Sequence, residues 1–190
     1  TNHKFFDHLS RWRDRLNTKM RVKIVNDGTL SNEDRLGSLG DIKLVIERCS
    51  IEDDIIVVAG DNLFEFQLSG MLDFYQKKHS TIVALHNVKD IELAKQYGIV
   101  EVDDTCKVID FQEKPASPNS TLSSTCIYIY PKEAIGMLFE YLNHNDADKA
   151  GSFLQWLYPK RDVYGYTTDE QWYDIGSLPE LERAEEEFNP

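Results

Sequence analysis

Two aspartates in unlike settings carry the strongest chemical signal in this sequence. The first closes the run Ile55-Ile56-Val57-Val58-Ala59-Gly60-Asp61-Asn62, where apolar residues lead straight into Gly-Asp-Asn. The second stands in Gln171-Trp172-Tyr173-Asp174-Ile175-Gly176-Ser177, between aromatics and a glycine. Gly, Asp and Asn are good turn formers, so either segment could be a turn and nothing more. In open α/β sheets, however, ligands gather outside the carboxyl ends of the strands. A carboxylate delivered there can reach a cation that bridges phosphates. Mg2+ takes hard oxygen ligands, commonly one or two carboxylates completed by phosphates and water. Asp61 and Asp174 together supply such a pair.

Two further segments could bind rather than turn. Phe111-Gln112-Glu113-Lys114-Pro115 sets an acid beside a base at a strand end. It reads either as a solvated strand exit or as a carboxylate for sugar hydroxyls next to an ammonium for a phosphate. Leu36-Gly37-Ser38-Leu39-Gly40-Asp41-Ile42 puts two glycines at a helix start, where backbone can approach a ligand closely. The histidines (His3, His8, His79, His86, His144) show no metal-ligand spacing. Cys49, Cys106 and Cys126 form no CxxC pair, so neither a zinc site nor a disulfide framework is expected, and a reducing cytoplasm is the simplest setting.

The bulk numbers narrow the partners. A formal net charge of −12 disfavours general affinity for nucleic acid or anionic lipid, while leaving room for a small phosphorylated ligand. No apolar run approaches the ~18 residues of a membrane span. The 190 residues suffice for one ordinary domain.

The elements that must position these residues follow from periodicity. Residues 3 to 17 carry a helical stripe, Phe5, Leu9, Trp12 and Leu16, behind Asn2 as N-cap. Met20, Val22 and Ile24 alternate as a strand. Ile42, Val45 and Ile46 restart a helix, and Ile55–Ala59 is a buried strand. Residues 64 to 78 are an amphipathic helix and Thr81–Asn87 a third strand. Gly98–Gln112 reads as two strands around an Asp-Asp-Thr turn. A Pro- and Ser-rich loop leads to the strand Thr125–Tyr130. A helix at 131–143, a strand at Val163–Thr167 and a last helix behind a Ser177/Glu180 capping box complete the chain. Alternating strands and helices suggest an α/β domain with a mostly parallel sheet.

In this order the pieces resemble the sugar-1-phosphate nucleotidylyltransferases, the glucose-1-phosphate thymidylyl/uridylyl and mannose-1-phosphate guanylyl group, nearly end to end. VVAGDN resembles the family strand that ends in a metal-binding aspartate. LGSLGDI resembles the LGTAGAL-type segment near the nucleobase, and Tyr97-Gly98-Ile99-Val100 the glycine segment near the sugar. FQEKP matches the EKP motif, TCIYIYP resembles NAGIYVF, and WYDIGS resembles WxDIGT.

The resemblance implies a Rossmann-like, three-layer nucleotide-diphospho-sugar transferase fold with a mixed, mostly parallel central sheet. It implies transfer of a nucleotidyl group from a nucleoside triphosphate to a sugar 1-phosphate, with Mg2+ as cofactor. Asp61 and Asp174 would hold the metal, Gly40 and Asp61 would serve the nucleotide, Gly98 and Glu113 the sugar, and Lys114 the sugar's phosphate. The family's GGxGTRLxPLT loop and KPxxPVxxKP segment do not occur in these residues. The chain is therefore expected to be a single domain, 1–190, lacking its leading βαβ unit, with little activity as given. A homo-oligomer or bound partner is expected at the edge so exposed. Cys126 stands where the family has glycine, which puts the usual sugar contacts in question. The alternatives are a guanylyl or cytidylyl enzyme with another sugar or alcohol phosphate, and a non-catalytic sugar-nucleotide-binding or regulatory protein.

Overall fold

The computed structural model describes residues 1–188. They form two compact units, one of residues 1–52 with 138–150, the other of 53–137 with 151–188.

In the first unit, α1 (His3–Arg15) starts at Asn2, whose side chain accepts the Phe5 N–H at 3.2 Å. Its exposed face carries Phe5 and Trp12. The strand expected at Met20–Ile24 does not form. Met20 is 77 % exposed, so the alternating apolar residues have no sheet face to cover. The extended chain that follows bonds instead to the start of the protein: Thr1 N–H to Val25 O, Asp27 N–H to Thr1 O and His3 N–H to Thr29 O, each at 2.9 Å. Helix α2 (Ser38–Cys49) begins at Gly37, whose φ is +76. A Cβ there would lie 2.6 Å from the Ala147 carbonyl oxygen, so this close crossing needs glycine.

The second unit holds the strands. They are β1 (Ile55–Val58), β2 (Asn62–Phe64), β3 (Thr81–Asn87), β4 (Gly98–Val102), β5 (Val108–Glu113), β6 (Leu122–Tyr130), β7 (Val163–Thr168) and β8 (Trp172–Asp174). The main sheet runs β5-β4-β6-β3-β7, with β1 also on β6, and β2 pairs with β8 in a separate ribbon. The helices are α3 (Leu68–Lys78), the short α4 (Ile91–Ala94), α6 (Ala150–Leu157) and α7 (Leu178–Glu187); α5 (Lys132–Leu142) runs across the division between units.

The long strand β6 feeds both faces of the sheet, because successive side chains point to opposite sides. Ile127 and Ile129 join Ile82, Ala84, Phe66 and Met71 on the α3 side. Tyr128 and Tyr130 turn the other way, and Tyr130 meets Phe153 of α6 at 5.6 Å between ring centroids. Helices thus cover both faces of a mixed sheet, as the three-layer expectation requires.

The expectation of mostly parallel pairing needs correction. Among the described strands the β3–β7 pairing is parallel, whereas β1–β6, β3–β6, β4–β5 and β4–β6 are antiparallel. Strands β1, β3 and β7 do share one direction. The reversed β6 inserts between β1 and β3 and separates strands that would otherwise pair in parallel.

Candidate active site

Asp61 leaves β1 on a tight turn, in which the Asn62 N–H bonds the Ala59 carbonyl at 3.4 Å and the Ala59 N–H bonds Cys126 O at 3.2 Å. The β2–β8 ribbon then pairs Asn62 with Asp174, and the Ile175 N–H reaches Asp61 O at 2.8 Å. Two aspartates more than a hundred residues apart thereby become main-chain neighbours. The Asn62 side chain ties the Asp61 turn to β8: its amide donates to Asp61 Oδ1 at 3.0 Å, and its oxygen accepts the Trp172 indole N–H.

The electrostatics agree with this placement. Burial pushes the Asp174 carboxyl up, the Asp61 and Glu180 charges push it further, and Lys114 opposes them. Tyr97 packs its ring edge-on to Trp172 at 5.3 Å, and its hydroxyl is raised by burial and then by Asp174 and Glu180. Burial also pushes the Cys126 thiol up to about 11; a bond to Tyr128 opposes this, and the Asp174, Asp61 and Glu113 charges add to it.

Glu113 and Lys114 arrive at the end of β5. Gly98 of β4 pairs with Glu113, and the Lys114 N–H bonds Tyr97 O at 3.0 Å. A Cβ on Gly98 would lie 2.8 Å from the Phe111 ring and 3.2 Å from Glu113 Oε2, and one on Gly151 would lie 2.9 Å from the same oxygen. Two glycines therefore make room for the Glu113 carboxylate, one of them at the amino end of α6, where helix dipoles favour negative charge.

Asp61, Asp174, Gly98, Glu113 and Lys114 all belong to the second unit. Gly40 belongs to the first, within α2, where a Cβ would stand 3.0 Å from Leu36 Cβ and 3.6 Å from Ala147 Cβ. The residue reading overlooked Gly151 and the Asn62–Trp172 bond. An apolar spacing at Phe153, Leu154 and Leu157 could have revealed α6 and its leading glycine; nothing local announces the bond.

No group of three or more His, Cys, Asp or Glu suited to a metal occurs among the described residues. Two carboxylates whose charges oppose each other remain, a donor set that fits a hard divalent cation taking its other ligands from phosphate and water. No described helix is long and apolar enough to cross a membrane.

Known proteins share this architecture and sequence pattern. Residues 3–189 match the Nucleotidyl transferase family model. A UTP–glucose-1-phosphate uridylyltransferase of Synechocystis sp. is 32% identical over 167 residues, covering 83% of this chain and 41% of that protein. A glucose-1-phosphate adenylyltransferase of Ruminiclostridium cellulolyticum is 30% identical over 132 residues, covering 65% of this chain and 30% of that protein. The chain thus spans well under half the length of these curated relatives. Among solved structures, a UDP-glucose pyrophosphorylase from Acinetobacter baumannii superposes with a TM-score of 0.73 at 23% identity, over 95% of this chain and 64% of that one. The chain belongs to the nucleotidyl transferase family.

Proposed function

We propose that this chain carries the sugar-phosphate and metal-binding part of a sugar-1-phosphate nucleotidylyltransferase, acting on a nucleoside triphosphate and a sugar 1-phosphate. The observation that carries this reading is the convergence of Asp61 and Asp174 with Glu113 and Lys114 in one unit. In such a reaction a phosphate oxygen of the sugar 1-phosphate attacks the α-phosphorus of the triphosphate, and pyrophosphate leaves. Mg2+, when bound, supplies charge neutralisation at the phosphate oxygens. Asp61 and Asp174 would hold it. Lys114 would fix the sugar's phosphate by a charge-assisted contact. Glu113, held between Gly98 and Gly151, would accept sugar hydroxyls. The nucleobase role of Gly40 remains with the first unit as part of the same proposal. Catalysis of this kind rests on positioning and opposing charge, and no protein nucleophile is required. Free thiols and phosphorylated substrates together favour a cytoplasmic setting.

Titration calorimetry of the 190-residue polypeptide tests the reading. UDP-glucose and glucose 1-phosphate should bind more tightly with Mg2+ present, and Asp61→Asn and Asp174→Asn should each abolish the Mg2+ dependence. Binding indifferent to Mg2+ and to both substitutions would remove the metal role.

A further inference from the structure

Helix α1 is a basic element in an acidic protein. The chain has a net charge of −12, yet α1 sets Lys4, Arg11, Arg13 and Arg15 against Asp7 and Asp14. None of its residues is buried. His8, Arg11, Trp12 and Arg15 stand three and four residues apart, as neighbours on one helix face, around a hollow of about 310 Å3. Phe5 extends the stripe toward the amino end, and Trp12 is 50 % exposed.

Helix α7 repeats this spacing with the opposite sign. Leu178, Leu181, Glu182 and Glu185 share one exposed stripe, with Leu178 75 % exposed. Other charges on the two helices are paired locally: Arg13 with Asp14 at 2.7 Å, Arg183 with Glu187 at 3.1 Å, and Glu180 with the Ser177 hydroxyl at 2.9 Å. Arg11, Arg15, Glu182 and Glu185 have no side-chain partner among the described residues. Exposed aromatic and leucine side chains gain by leaving water, whatever covers them. Flanking charges of one sign make the choice, because they attract a surface of the other sign and repel their own.

We propose that α1 of one copy docks on α7 of a second copy of this chain. Both stripes begin apolar at the amino end and finish charged at the carboxyl end. Parallel helices therefore set Leu178 and Leu181 against Phe5 and Trp12, and bring Glu182 and Glu185 to Arg11 and Arg15. Net charges of the same sign push two copies apart; at α1 the local field reverses and steers the acidic helix in. The contact joins unlike surfaces, so assembly continues past two copies unless a dimer makes it twice.

Sedimentation velocity over a concentration series tests this with two double variants. The wild-type chain should associate reversibly. Arg11→Glu with Arg15→Glu makes both stripes acidic, and Glu182→Lys with Glu185→Lys makes both basic, so each variant alone should sediment as a monomer. An equimolar mixture of the two should associate again, because each then meets a stripe of opposite charge. Melting temperatures equal to the wild type show that neither variant is misfolded, as expected of substitutions at exposed positions. Trp12→Ala, which leaves the charges in place, should raise the dissociation constant at least about tenfold. A wild-type chain that stays monomeric throughout would overturn the proposal. So would association that survives both double variants, which would place the contact on another surface, or a mixture that fails to associate.

Discussion

Lys114 shows how a single residue is shared between structure and chemistry. Its φ of +47 turns the chain sharply out of β5, and its charge opposes the push that Asp61 and burial exert on Asp174. Lys114→Ala should therefore weaken sugar 1-phosphate binding roughly tenfold or more, the usual worth of a hydrogen bond to a charged group, and affect triphosphate binding less. Parallel titrations with the two ligands check this; equal losses would argue against a phosphate contact specific to the sugar. Gly98→Ala acts by volume instead. The new Cβ meets the Phe111 ring at 2.8 Å and Glu113 at 3.2 Å. A destabilisation of about 1–3 kcal/mol is expected from such overpacking, and urea unfolding should reveal it together with weakened sugar binding.

Elements are held in place by a few local bonds whose removal can be measured. Helix α7 follows directly on Asp174, and Ser177 caps it: its hydroxyl accepts the Glu180 N–H at 3.4 Å and donates to the Glu180 carboxylate at 2.9 Å. Ser177→Ala should cost about 0.5–2 kcal/mol, read as a lower melting temperature in calorimetry. Asp54 joins α3 to the start of α5, accepting the Tyr75 hydroxyl at 2.5 Å and the Lys132 N–H at 2.9 Å. The Tyr75 bond first, and the Lys132 N–H second, hold its carboxyl below the ordinary aspartate value. A depressed folded-state value means the unfolded chain binds the proton more readily. The contribution is full above the ordinary aspartate range and is lost as pH falls through the folded value. Solvent weakens it, because the carboxyl is largely exposed. Thermal melts from neutral into acid solution should show a shallower acid decline for Asp54→Asn than for the wild type; identical slopes would mean that Asp54 adds nothing to acid sensitivity.

At the scale of the molecule, the 190 residues contain no GGxGTR segment, and the remaining glycines are not followed by a Thr-Arg pair. Charge at a transferring phosphoryl group is stabilised by donors fixed in advance, and losing one such donor costs about 10²–10³ in rate in a well-studied protease. Pyrophosphate release by this polypeptide alone, with common triphosphates, glucose or mannose 1-phosphate and Mg2+, should stay far below ordinary enzyme rates of about 1–10³ s⁻¹. Turnover in that range would show that another segment supplies the donors.

Periodicity alone determined most of the strands and helices. The run ending at Asp61, the strand Thr81–Asn87, the hairpin from Gly98 to Glu113 and the helix after Pro131 all lie where apolar spacing and turn residues put them. The same cues failed at Met20–Ile24, because alternation marks a strand only when a sheet offers it a face. Residue type also singled out Asp61, Asp174, Glu113 and Lys114, since paired carboxylates and an adjacent acid and base are legible in one dimension. What pairs with what was settled only in three dimensions. Parallel and antiparallel neighbours share the same local pattern, so the insertion of β6 between β1 and β3 had no sequence signal. The β2–β8 ribbon that makes neighbours of Asp61 and Asp174 and the close fit of Gly151 against Glu113 depend on contacts between segments far apart in the chain, and those exist only once the strands have packed.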